Sequence, residues 1–157
     1  MSRDRKIKSG KVILASDHAG FKLKEEIKKF LIKKRKKVLD LGTKNTASVD
    51  YPHYAHLLSK KMKLPENQFG ILVCGSGTGM SITANKHKNI RAALCYNTKS
   101  AKLSRLHNNA NVMTLGARLI KKNIALKCVS TFLGTGFVGG RHLRRIKKIN
   151  NLYVKAK

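Results

Sequence analysis

The sequence predicts an α/β protein, a three-layer αβα sandwich on a five-stranded parallel sheet with an extra helix at the C-terminus. Two observations lead there. Short apolar runs recur along the chain, and each is followed by a segment whose apolar residues fall at helical spacing. A third sets the scale: 157 residues are enough for one domain with a real hydrophobic core and too few for two ordinary ones. No internal repeat, low-complexity tract or linker interrupts the alternation.

The elements follow in order. KVILAS (11–16) reads as the first strand, and residues 21–36 as a helix whose Leu23, Ile27, Phe30 and Leu31 share one face. KVLDLG (37–42) is the second strand, and 51–62 a helix with Pro52 in its first turn. FGILVC (69–74) is a buried strand followed by a helix over 79–87. IRAALC (90–95) and NVMTLG (111–116) are strands flanking a helix over 97–108. Helices over 122–136 and 140–153 complete the chain. Strands joined by helical crossovers lie parallel, with both faces of the sheet covered, in a Rossmann-like arrangement. Ligands of such sheets bind beyond the C-terminal strand ends. The expected site is therefore drawn from Asp17 and His18, the TKNTASVDY loop, Cys74 to Gly79, Tyr96 and Asn97, and Gly116 to Arg118.

Composition excludes several classes. Hydrophobic residues make up 41% of the chain, as in a globular protein, and no run is long enough to cross a membrane. Residues 1–10 read as a basic solvated extension, without a secretory signal, ahead of one domain spanning 11–153. Cys74, Cys95 and Cys128 form an odd set with no C-x-x-C pair, which argues for a reducing, cytoplasmic setting. Lys and Arg number 35 against 7 Asp and Glu, a net charge of +28, which raises a nucleic-acid partner as a reading. The distribution argues against it. The densest cluster interleaves apolar residues at helical spacing as a solvated face does, it has no aromatic residues placed to stack bases, and the chain has no Trp. A basic, non-catalytic nucleic-acid-binding protein is kept only as a remote alternative.

The stretch CGSGTGM (74–80) carries the chemistry. A dinucleotide fingerprint would need a third glycine where Met80 stands and an acidic residue about 20 positions on, where LCYNTK is found. A P-loop would end in G-K-[ST], and a thioredoxin-type site would have a second cysteine where Gly77 is. What remains is a pocket of backbone N–H groups at a helix start, with Cys74 on its rim, suited to proton abstraction beside a carbonyl. The local pattern leaves open that Cys74 simply ends a buried strand. His53 and His56 form an H-x-x-H pair with no third ligand evident, so no metal site is expected.

Six segments in register resolve the choice: SDHAGFKLK (16–24), DYPHYA (50–55), CGSGTGMSITANK (74–86), IRAALC (90–95), SRLHNNANVMTLGAR (104–118) and GGRHLRRI (139–146). Together they resemble the ribose/galactose isomerase family, which holds the B-type ribose-5-phosphate isomerases and the galactose- and allose-6-phosphate isomerases, over nearly the whole chain. The resemblance implies a cofactor-free and metal-free aldose–ketose isomerase acting through a cis-enediolate. It implies ribose 5-phosphate to ribulose 5-phosphate in the pentose phosphate pathway, with allose or galactose 6-phosphate as the alternative substrates. Cys74 then matches the base that moves the proton; members that use a glutamate carry it where this chain has Met80. Ser76 matches the hydroxyl that assists proton transfer, and Gly75, Gly77 and Gly79 with Asn108 match the enediolate pocket. His107 matches the ring-opening residue, with Asp17 near the sugar hydroxyls and Tyr51 in the pocket. His18, Arg118, Arg141 and Arg145 match the phosphate-binding positions, where guanidinium suits a dianion. The family also implies homodimers or tetramers with the site at the subunit interface, the final helix reaching a neighbouring copy. No membrane partner is expected.

Overall fold

The computed structural model describes residues 10–62 and 68–151. Residues 1–9 of the expected basic extension, and the last two of the expected final helix, lie outside them. Among the described residues eleven elements follow one another: β1 Lys11–Ser16, α1 Phe21–Lys33, β2 Val38–Asp40, α2 Tyr51–Lys61, β3 Gln68–Cys74, α3 Thr78–Ala84, β4 Ala92–Leu94, α4 Thr98–Asn108, β5 Val112–Gly116, α5 Lys122–Gly134 and α6 Arg141–Ile146. All strand pairs are parallel, in the order β2-β1-β3-β5-β4.

Alternation along the strands divides the core in two. Val12 and Leu14 of β1, Phe69, Ile71 and Val73 of β3, and Met113 and Leu115 of β5 face a cluster completed by Leu23, Ile27 and Leu31 of α1 and Cys128, Val129 and Phe132 of α5. Ile13, Ala15, Leu72, Cys74 and Val112 face the other side, against Ala55 and Leu58 of α2 and Met80 and Ala84 of α3. Each fully buried Leu, Ile or Phe contributes about 1.5–3 kcal/mol, so the two layers hold the sheet from both faces.

Several ends differ from the sequence reading. α1 stops at Lys33 because Arg35 adopts φ 55°, with Lys36 N–H donating to Leu31 O (3.0 Å) and Arg35 N–H to Ile32 O (2.8 Å). This is a Schellman turn, made here without the glycine that usually announces it. α3 ends at Ala84, since the Asn85 side chain both accepts from Ala92 N–H and donates to Ala92 O. α6 is six residues long with none buried, and beyond Ile146 the backbone tightens into three-residue turns such as Lys148 N–H to Arg145 O (3.0 Å). With no apolar face to bury, nothing extends it to the expected length.

Two cations are buried that the pattern does not single out. Lys24, 1% exposed, donates to Asp40 (2.6 Å) and Glu25 (2.8 Å), and Lys28 joins both carboxylates. Burial pushes the Asp40 carboxyl upward, but hydrogen bonds from Lys24, Lys28 and the Gly42 N–H outweigh it and hold the group below its ordinary value. A carboxyl depressed in the folded state stabilises above its unfolded pKa and loses that contribution as pH falls through the folded value. Asp40→Asn is therefore expected to cost about 2 kcal/mol at neutral pH, less than orphaning a fully buried ion because Glu25 still holds Lys24. Urea midpoints at neutral and acid pH check this: the gap between wild type and variant should shrink in acid.

Arg105 is the second buried cation. Its guanidinium lies over the rings of Phe69 (4.9 Å) and Phe132 (5.7 Å) and donates to Thr135 O, Asn109 Oδ1 and Ala110 O. It fixes the C-terminal end of α4 against α5 and β3, two residues from His107.

Candidate active site

The strand order creates the cleft. From β1 the chain passes to β2 on one side and then to β3 on the other, so the connections diverge between β1 and β3. Beyond that point the C-terminal ends of β1, β3 and β5 stand side by side, Ser16 in register with Val73 and Cys74 with Gly116. They deliver Asp17, Cys74 and Arg118 into one cleft of about 290 Å³, lined also by Tyr51, Gly75, Ser76, Gly79 and Leu119.

The backbone around Cys74 is tightly specified. Ala117 N–H donates to Cys74 O (2.8 Å) and Arg118 N–H to Gly75 O (3.0 Å), which ties the β5 end to the glycine loop. Gly77 has φ +81°, and a Cβ there would sit 2.6 Å from Leu94 Cδ1 and 2.9 Å from the Leu115 carbonyl carbon. That turn brings the Gly77 N–H to 3.1 Å from Cys74 Sγ, where it donates to the sulfur. Gly79 lies under the Tyr51 ring, whose atoms would come within 2.6 Å of any Cβ, so the aromatic ring is the wall facing the loop. α3 is only seven residues long, so local N–H groups contribute more here than a helix dipole.

Asp17 is 6% exposed, and its Oδ1 accepts from Gly20 N–H (2.8 Å), which sets the turn into α1. His18 follows it, with Nδ1 3.2 Å from both N and O of Val49 in the loop before α2. Ser76 is exposed on the cleft wall, with Oγ accepting from Thr78 N–H (3.3 Å). Among the described residues no carboxylate pairs with Arg118, Arg141 or Arg145.

The other expected site residues lie elsewhere. α4 runs back from the β4 end over 11 residues, about 16 Å. Its C-terminal end, with His107 and Asn108, comes to rest beside Arg91, which precedes β4 and donates through Nε to Asn108 O (3.1 Å). α6 packs there too: the rings of His107 and His142 are stacked, and Asn150 donates to Lys88 O (3.0 Å). His107, Asn108, Arg141 and Arg145 thus stand at the opposite end of the sheet from Cys74. Tyr96 and Asn97, expected in the site, do not line the cleft. Tyr96 is 64% exposed, and Asn97 caps α4 by accepting from Ser100 N–H (2.8 Å). Leu119, 73% exposed, was not anticipated, and only its place after Arg118 could have suggested it.

The remaining cysteines are core residues. Burial pushes the Cys95 thiol up to about 11 and raises that of Cys128. His56 meets His87 rather than His53 (Nδ1 to Nε2, 2.8 Å), and no cluster of three or more metal-binding side chains occurs among the described residues. None of their helices is long and apolar enough to cross a membrane.

Comparison with known proteins adds to this geometry. A family model described as ribose/galactose isomerase matches residues 12–149. The chain is 42% identical over 139 residues to ribose-5-phosphate isomerase B of Escherichia coli, covering 88% of this chain and 93% of that one. It is similar to the crystal structure of a ribose 5-phosphate isomerase from Thermotoga maritima, with TM-score 0.88 and 50% identity, covering 91% and 99% of the two chains. The Mycoplasma genitalium ribose-5-phosphate isomerase B, solved with bound ribulose-5-phosphate, gives TM-score 0.86 and 43% identity over 90% and 94%.

Proposed function

The chain belongs to the ribose/galactose isomerase family, and we propose that it interconverts D-ribose 5-phosphate and D-ribulose 5-phosphate through a cis-enediolate. The observation that carries the mechanism is the convergence of Cys74, Asp17, Ser76, Tyr51 and Arg118 on one cleft, with an N–H donor already on the cysteine sulfur. Similarity to the Escherichia coli enzyme and to a structure holding ribulose-5-phosphate supports the pentose substrate.

The steps follow from what these groups can do. His107 takes a proton from the anomeric hydroxyl of the furanose and returns it to the ring oxygen as the C1–O4 bond breaks, which releases the open-chain aldehyde. The Cys74 thiolate removes the C2 proton, and the electron pair moves through C1 onto O1 as an enediolate. Backbone N–H groups of Gly75, Gly77 and Gly79, together with Asn108, hold the developing charge. Ser76 relays a proton from O2 to O1, and the Cys74 thiol returns its proton to C1, leaving a ketone at C2. Asp17 and Tyr51 hold the sugar, while His18, Arg118, Arg141 and Arg145 bind the phosphate.

A single chain holds these groups at two ends of its sheet, so in this reading a complete site needs two copies. His107, Asn108, Arg141 and Arg145 of one copy meet Cys74 of another across a homodimer interface. The exposed side chains of Leu119 (73%), Ile82 (60%) and Tyr96 (64%) offer apolar surface for such contact. The three free thiols fit a reducing, cytoplasmic setting.

Turnover of ribose 5-phosphate by the purified protein in excess chelator tests the proposal, with allose 6-phosphate and galactose 6-phosphate in parallel. Conversion of the pentose, undiminished by chelator and faster than that of either hexose, is expected. Absence of pentose turnover would end the reading, and loss on chelation would remove the metal-free mechanism.

A further inference from the structure

α6 carries more than the two arginines. It is entered through Gly139 (φ +75°) and Gly140 (φ +54°) and has no buried residue. Val138 N–H donates to Leu106 O (3.2 Å), just before α6 begins. Two half-buried histidines meet across this joint: the His107 and His142 rings lie 4.3 Å apart at centroids with an interplanar angle of 4°. A near-parallel stack fixes the plane of an imidazole that would otherwise rotate about its side-chain torsions, since terminal torsions of this type are broad.

We propose that His142 is the positioning residue for His107, its ring lying flat on the His107 imidazole and holding that plane for proton transfer to and from the sugar ring. The inference rests on the reading of His107 as the ring-opening group. Burial first, and then the charges of His107, Arg141 and Arg145, bias His142 toward its neutral form. Arg141 and Arg145 lie on the same short helix as His142, so one joint orders both the ring-opening group and the two arginines. His142 itself touches no substrate in this scheme.

The test uses two substrates that differ in ring opening. Ribose 5-phosphate is largely a closed furanose and must be opened. Ribulose 5-phosphate has its 5-hydroxyl esterified and is open-chain, so solvent deuterium entering its C1 reports enediolate formation by Cys74 without ring opening. His142→Ala is expected to lower kcat on ribose 5-phosphate by roughly 10-fold, short of the 10²–10⁴ of a lost general acid–base group, with deuterium exchange changed less than two-fold. His142→Phe, which keeps a flat ring, should recover most of the turnover.

Equal loss of both readouts in His142→Ala would overturn the proposal, as would a rise in KM with kcat unchanged, which would mark a role in phosphate binding alone. Wild-type kinetics in His142→Ala, or a phenylalanine variant as slow as the alanine one, would also overturn it. His107→Ala separates the underlying reading. If that variant lost deuterium exchange as fully as ribose 5-phosphate turnover, the ring-opening role would fail, whatever His142 does.

Discussion

Cys74→Ala is expected to lower turnover of ribose 5-phosphate by roughly 10²–10⁴-fold, and deuterium exchange into ribulose 5-phosphate by a similar factor. In the proposed mechanism one sulfur serves both directions of proton transfer, so both fall together. The fold should survive. Cys74 is 4% exposed and packs against α2 and α3, but removing one sulfur atom from that layer costs only about 1 kcal/mol. Met80 cannot replace it: it is fully buried in the same layer, and its thioether cannot accept a proton at neutral pH. Cys74→Ser separates packing from basicity, since it keeps a polar atom of similar size with a hydroxyl far harder to ionise. The serine variant should be nearly as slow as the alanine variant. Turnover within 10-fold of wild type in either would assign the proton to another group.

Much of this fold was legible because it is simple in pattern. Strands buried on both faces read as continuous apolar runs, and each crossover helix shows its own period. The cleft was legible in part through one topological rule, which named Asp17, Cys74, Gly75, Ser76, Gly79 and Arg118 of its lining. That rule also named Tyr96 and Asn97, but they follow β4, an edge strand beyond β5, whose end does not reach the divergence between β1 and β3. Helix ends were less legible. Arg35 takes a left-handed conformation with no glycine to signal it, and α6 has the composition of a helix but no face to bury. In a chain with 35 Lys and Arg, nothing local distinguishes Lys24 and Arg105, the two that are buried among the described residues, from the others. Their burial depends on partners distant in sequence, Asp40 for the lysine and Phe69 and Thr135 for the arginine.

The separation of Cys74 from His107 makes the second large effect. Cys74→Ala and His107→Ala should each be nearly inactive alone on ribose 5-phosphate. In a two-fold dimer whose sites each take Cys74 from one copy and His107 from the other, a mixed dimer has one intact site and one doubly damaged site. Random reassociation of equal amounts makes half of the dimers mixed, so activity should rise to about a quarter of wild type. A protein that acts as a monomer, or whose site takes both residues from one chain, would show no gain. The most direct measurement is therefore ribose 5-phosphate turnover after the two variants are unfolded and refolded together in the presence of chelator. Recovery to about a quarter of wild type is the expected result, and turnover no higher than the sum of the two variants refolded separately would contradict it.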